Sequence, residues 1–147
     1  MISLRPATLT DLPEVLPRTR ALQDHESIEI DNARLEAGLR QLLGNPGFGG
    51  VWLVTRDRQT IGYAIVTFGF DLEFGGREGW LTELWIDGDQ RTQGAGAAAI
   101  EALVPELALR DVKALHLQVR ADNPAMRLYE RSGFVASPRT IMTRRLG

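Results

Sequence analysis

The sequence predicts a mixed α/β fold in which a mixed sheet carries helices on both faces. Three observations predict it. Short apolar strands bounded by turn residues crowd the middle of the chain. Two capped helical stripes precede them. The second half alternates strand, helix, strand and helix, as parallel crossovers require.

Taken in order, Ile2 to Ala7 alternates apolar and polar residues and reads as a first strand. Thr10 is placed to cap a helix whose stripe is Leu12, Val15, Leu16 and Leu22, with Pro17 expected to kink or split it. Asp31 or Asn32 caps a second helix with Leu35, Leu39, Leu42 and Leu43 on one face, ended by Asn45-Pro46-Gly47. Val51 to Thr55 and Ile61 to Phe70 are strands, and Gly75-Gly76 turns the chain into a further strand, Trp80 to Ile86. A loop from Asp87 to Gly96 opens a helix with Ala97, Ile100, Leu103, Val104 and Leu107 on its stripe, again with a proline, Pro105, expected to kink it. Leu115, Leu117 and Val119 alternate with polar residues as a strand. Asn123-Pro124 starts a short helix and Gly133 ends it. Phe134 to Leu146 reads as one or two last strands. The predicted order is β-α-α-β-β-β-α-β-α-β.

The chain has 147 residues and no evident repeat, which fits one domain over residues 1–147. It is 44% hydrophobic and 24% charged, enough for a packed core. A net charge of -2 argues against a general nucleic-acid binder. The absence of cysteine removes thiol nucleophiles, disulfides and thiolate metal ligands. His25 and His116 stand far apart with no ligand spacing, so no metal is expected. No signal peptide or membrane span is evident, and the cytoplasm is the default location.

Two motifs carry chemistry. Arg91-Thr92-Gln93-Gly94-Ala95-Gly96 lies between a strand and a helix. Unpaired N–H groups and the helix dipole favour an anion there, glycines let it approach, and Arg91 adds a forked cation. Alone, the motif is equally a glycine-capped helix start. It is neither a P-loop nor a dinucleotide fingerprint, since the lysine and the glycine spacing those require are missing. The second motif runs from Asn123 to Phe134, with Tyr129 on its helix. Facing a cleft, the phenol is a proton donor; facing the core, it is a packed aromatic.

In combination the motifs resemble the GNAT superfamily of N-acetyltransferases, in which Arg-x-x-Gly-x-Gly/Ala follows the fourth strand and Asn-x-x-Ala/Met-x-x-Leu-Tyr-x-x-x-Gly-Phe lies near the C-terminus. They occur here in that order, roughly 30 residues apart, as a βαβ unit requires. The likeness is strongest from residue 80 to 135. It implies a sheet with splayed central strands and acetyl-CoA as co-substrate. Arg91, Thr92, Gln93, Gly94, Ala95 and Gly96 would hold its diphosphate. Backbone groups of Leu84, Trp85 and Ile86 would pair with its pantetheine arm, Asn123 would contact it nearby, and Tyr129 would protonate the departing thiolate.

The acceptor amine must lose a proton before attack. Glu83, an ionisable residue on an apolar strand, is the candidate base, acting through water, and alternation places Leu81, Glu83 and Trp85 on one face. On the residues alone the same carboxylate can instead pair with an arginine. Asp24, Glu26, Glu29, Asp31 and Glu36, with Asp71, Glu73 and Glu78 on the hairpin, form an acidic rim suited to a cationic amine. The hairpin loosely resembles the diamine and polyamine acetyltransferase branch. A small amine, a polyamine or a peptide lysine is therefore the expected acceptor, a protein N-terminus or an aminoglycoside stays open, and no nucleic acid or membrane is expected as partner. His25 is expected at the surface and His116 in a structural place on the sheet. Many members of the superfamily are dimers, so a homodimer through an exposed C-terminal edge is a further expectation. A non-catalytic acyl-CoA sensor, a longer-chain acyltransferase and a pure interaction domain stay open at this level.

Overall fold

A computed structural model describes residues 1–147 except Thr92, so that predicted binding residue lies outside the described residues. The strands are β1 (Ile2–Pro6), β2 (Gly49–Arg56), β3 (Gln59–Asp71), β4 (Gly76–Ile86) and β5 (Val112–His116). The helices are α1 (Leu12–His25), α2 (Asn32–Leu43), α3 (Ala95–Ala108) and α4 (Met126–Arg131). The sheet order is β1-β2-β3-β4-β5, antiparallel as far as β4 and parallel between β4 and β5.

Alternation along β2 and β3 divides the core in two. Val51, Leu53, Tyr63 and Ile65 face Leu12 and Val15 of α1 and Leu39 of α2. Trp52, Ala64 and Val66 face Ile100, Leu103 and Leu107 of α3. Ala95 and Ala99 are wholly buried against Val54, Ile61 and Ile86, so the start of α3 lies close to the sheet because its side chains are small.

Local chemistry explains most boundaries. The Asp31 side chain accepts the Arg34 N–H at 2.8 Å and caps α2, as predicted. The first cap is Thr8 rather than Thr10: Thr8 and Asp11 form a capping box on a single 3-10 turn (Leu9–Asp11), which then leads into α1. Pro17 and Pro105 do not split their helices, contrary to expectation. Both sit on the exposed side, where water can satisfy the carbonyl that the missing N–H leaves free. Asn123 accepts the Ala125 N–H at 2.8 Å and holds a turn, so α4 begins at Met126 rather than at Pro124. Gly133, at φ 93°, ends it as predicted.

Three differences bear on function. First, the β4–β5 ladder runs only from Arg77↔Val112 to Trp80↔His116, while β4 continues to Ile86. The predicted strand through Val119 therefore stops at His116. Beyond Trp80 the two chains part and leave the β5-side edge of β4 without a strand partner, which is the splay expected from the family resemblance. Second, Glu83 pairs with Ile65 but Leu81 pairs with Val66, so Thr82 is the extra residue of a β-bulge. Glu83 and Trp85 share the α1 face, and Leu81 is turned to the α3 face, where it is buried. The expectation that all three share one face is corrected. Third, residues 134–147 form no strand. Phe134 docks on the α3-side core, but Val135, Met142 and Leu146 are about nine-tenths exposed. Pro138 cannot donate to a ladder, and these side chains find no surface to bury against. The C-terminal edge on which the homodimer expectation rested is not formed, and β5 and β1 are the edge strands of the sheet.

Gly62 lies opposite Ile86 at the end of β4, and a Cβ there would sit 2.0 Å from the Trp85 carbonyl oxygen. Gly62→Ala should therefore push β3 from β4 and destabilise the protein by about 1–3 kcal/mol, read as a lower urea midpoint. An unchanged midpoint would mean that the strands absorb the methyl group.

Candidate active site

The parting of β4 from the chain after His116 opens a cleft of about 650 Å³. Thr82, Glu83 and Leu84 of β4 line one wall and Leu117 to Arg120 the other; Asn123 and Tyr129 close one end, and Leu22, Gln23, Glu26 and Ile28 cover it from the α1 side. Four predicted site residues, Glu83, Leu84, Asn123 and Tyr129, thus meet in one cavity.

Glu83 is held by groups that sequence reasoning missed. The wholly buried Tyr63 donates its hydroxyl to Glu83 Oε1 at 2.5 Å, and Gln23 Nε2 of α1 approaches Oε2 at 3.4 Å. Burial pushes the Glu83 carboxyl above its usual range, and the Tyr63 hydrogen bond opposes that shift. The one signal in the sequence was a hydroxyl in an apolar strand, Gly62-Tyr63-Ala64. Tyr129 packs edge-on to Phe134, with centroids 6.0 Å apart. Burial, and then the nearby Glu26 charge, raise its phenol above the ordinary tyrosine value.

The first motif, Arg91 to Gly96, lies outside the cleft lining. Gly94 takes the left-handed conformation, φ 70°, just before α3. Ala98 N–H bonds the Gly94 carbonyl, so the N–H groups of Ala95, Gly96 and Ala97 precede the first intrahelical bond. Gly96 leaves room, since a Cβ there meets only Leu128 at 3.6 Å. Gln93 is exposed. Arg91 donates Nε–H to the Ile86 carbonyl at 2.7 Å and lays its guanidinium 4.3 Å over the Trp85 ring. Of the backbone groups predicted to be free at Leu84 to Ile86, the Ile86 carbonyl is therefore already engaged. The Trp85 ring packs on the α1-side core, and the Ile86 side chain is buried.

The acidic rim is largely committed to internal partners. Asp24 pairs with Arg20 at 3.0 Å, Glu36 with Arg40 at 3.0 Å and Glu73 with Arg139 at 2.9 Å. Asp31 caps α2, Asp71 accepts the Glu73 N–H, and Glu78 lies 3.0 Å from His116 Nε2. Glu26 is the rim carboxylate that lines the cleft. His25 is exposed, edge-on to Trp85, and His116 lies between Trp80 and Phe74. A second depression, of about 680 Å³, follows the α1–α2 loop and holds none of the predicted catalytic or coenzyme residues. Among the described residues no group of three or more His, Asp or Glu side chains is placed to hold a metal, and no helix is long and apolar enough to cross a membrane.

A mixed sheet with one parallel pairing, β4 with β5, that parts to open a cleft holding the Glu83 carboxylate and the Tyr129 phenol defines an α/β protein with a candidate binding cleft. The comparisons place it further: residues 14–134 match the acetyltransferase (GNAT) family, and the chain belongs to that family. It is 45% identical over 58 residues to the [ribosomal protein bS18]-alanine N-acetyltransferase of Escherichia coli, a stretch covering 39% of each protein. An integron cassette protein from a salt-marsh metagenome has a similar structure, with TM-score 0.86 and 25% identity, over 99% of this chain and 91% of that one. A predicted acetyltransferase of Clostridium acetobutylicum, solved with acetyl-CoA, shares the fold at TM-score 0.77 and 22% identity over 98% and 96% of the two chains.

The chain holds two tyrosines, Tyr63 and Tyr129, and both are raised above the ordinary value of 10.0. Alkaline titration at the tyrosinate absorbance band should show native protein ionising only above pH 10.0, with unfolded protein titrating there. Native titration of either tyrosine at the unfolded position would mean that its phenol is solvated.

Proposed function

We propose that residues 1–147 form one acetyl-CoA-dependent N-acetyltransferase domain, which passes an acetyl group to a primary amine by direct attack. The observation that carries this reading is the single cleft with Glu83 and Tyr129 on different elements, opened beside the free edge of β4. The coenzyme suits the groups present. Arg91, Gln93, Gly94, Ala95 and Gly96 offer a cation, glycine clearance and helix N–H groups to a diphosphate, and Thr92 belongs to the same run. Leu84, Trp85 and Ile86 offer strand backbone to the pantetheine arm, and Asn123 lies at the cleft end. When bound, the coenzyme supplies an activated thioester carbonyl.

The chain's own residues do the proton work. Glu83, through water, takes the proton that the amine loses as the C–N bond forms. Tyr129, kept protonated by burial, gives a proton to the sulfur as the C–S bond breaks. Because a thiolate leaves readily, Tyr129 assists more than it is required. The acceptor is a small amine, a polyamine, a lysine side chain or, given the relative named for an alanine amine on a ribosomal protein, a peptide α-amine.

Thiol release from acetyl-CoA across these amine classes tests the activity, with calorimetric coenzyme binding in parallel. Release with one class establishes the enzyme, binding without release from any class favours a sensor, and no binding overturns the reading. Glu83→Gln should lower kcat/KM about 100-fold near neutrality and abolish an acid limb that lies above the ordinary carboxylate value of 4.5. A wild-type profile in that variant would remove Glu83 as the base. Tyr129→Phe should lower kcat about tenfold with coenzyme affinity retained; unaltered turnover would make Tyr129 a packing residue.

A further inference from the structure

A polar node inside the α1-side core is the Tyr63–Glu83–Gln23 contact, which joins β3, β4 and α1. Around it the face is apolar: Leu12 and Val15 from α1, Leu39 from α2, Leu53 from β2 and Ile65 from β3. A phenylalanine would fill the Tyr63 site without needing a partner, whereas a wholly buried phenol must find one. It finds Glu83, the carboxylate on the β4 wall of the cleft. Oε1 is taken by Tyr63 from below, so the carboxylate can turn only about that bond.

We propose that Tyr63 is a positioning residue that fixes both the orientation and the ionisation of Glu83 without touching substrate. The consequence for catalysis rests on the reading of Glu83 as the base. The physics is a balance of two opposed effects. Burial favours the neutral acid, and a hydroxyl donor favours the carboxylate. Tyr63 cannot itself trade roles with Glu83, because burial and the adjacent carboxylate both hold its phenol protonated. The other groups facing this carboxylate are few. Gln23 and Glu26 come from α1, Tyr129 from α4, and Arg120 from the segment after β5. Gln23 is neutral, Glu26 is exposed, and Arg120 is largely exposed with Asp122 3.5 Å away. No buried cation lines the cleft among the described residues, so the Tyr63 hydroxyl is the nearest group that favours the ionised form.

The test is Tyr63→Phe, read by carbon-13 titration of the Glu83 carboxyl (assigned by its loss in Glu83→Gln) and by the pH profile of kcat/KM. The carboxyl titration and the acid limb should both move up by about one pH unit, which lowers kcat/KM about tenfold on the acid side while the alkaline plateau is kept. Coenzyme affinity by calorimetry should be unchanged. In the Glu83→Gln background the same substitution should alter nothing further. An unmoved Glu83 titration overturns the proposal, as does an equal loss of activity at every pH in both backgrounds, which would mark Tyr63 as a packing residue. A titration that moves while the acid limb stays supports Tyr63's hold on Glu83 and overturns Glu83 as the base, so the two readings fail separately.

Discussion

Everything at the site depends on one backbone constraint: β4 is paired along its whole length on one side and along only part of it on the other. Toward β3 the ladder runs to Ile86, and toward β5 it stops at Trp80. Backbone N–H and C=O groups left without partners inside a protein are costly, so such an edge persists only where water or a ligand can reach it. The cleft gives that access. The bulge at Thr82 falls next to the point of parting and adds local twist, which turns Leu81 into the α3-side core and Glu83 toward α1. Backbone registry, rather than any single side chain, thus sets which carboxylate faces the cavity.

Polar groups then follow burial. The α1-side face holds Glu83 with Tyr63 and Gln23, and Arg18 forks onto Asp87 at 2.8 and 3.0 Å while also reaching the Thr60 carbonyl. The arginine node clamps α1 to the ends of β3 and β4 with two parallel charge-assisted bonds. It keeps the covering helix in place over the cleft, and with it Gln23 and Glu26. The two nodes differ in kind. Arg18 and Asp87 form a forked ion pair, whereas Glu83 has only neutral donors.

What could be read from the sequence was local. The cap at Asp31, the glycine that ends α4 at Gly133 and the apolar strands β2 and β3 depend on residues a few positions apart, and each appears where the chain chemistry puts it. Tyr129 was legible through a motif that resembled one family, and Glu83 as an ionisable residue on an apolar strand. What failed was long-range. A bulge is a property of two strands, so alternation along β4 alone placed Leu81 on the wrong face. Tyr63 lies 20 positions from Glu83, and no spacing rule joins them. Residues 134–147 alternate enough to look like strands, but a strand needs a neighbour and a buried face, and here they have neither.

The acidic rim shows the same limit acting on function. Counting carboxylates along α1, α2 and the hairpin suggests a strong field for a cation. Yet Asp24, Glu36 and Glu73 each sit about 3 Å from an arginine, and Asp31 and Asp71 are spent on backbone N–H groups. Exposed pairs of that kind are worth little to stability, but they do cancel most of the local charge at distances beyond the ~8 Å screening length. Attraction for an amine therefore falls to the carboxylates inside the cleft, Glu26 at its α1 side and Glu83 on its wall. On the proposed function, selection of the acceptor becomes a matter of how an ammonium is desolvated between these two groups, and less a matter of long-range steering. The proposed determinants of specificity thereby move from the rim to the end of α1, whose position is held by the same Arg18 clamp that keeps Gln23 beside Glu83.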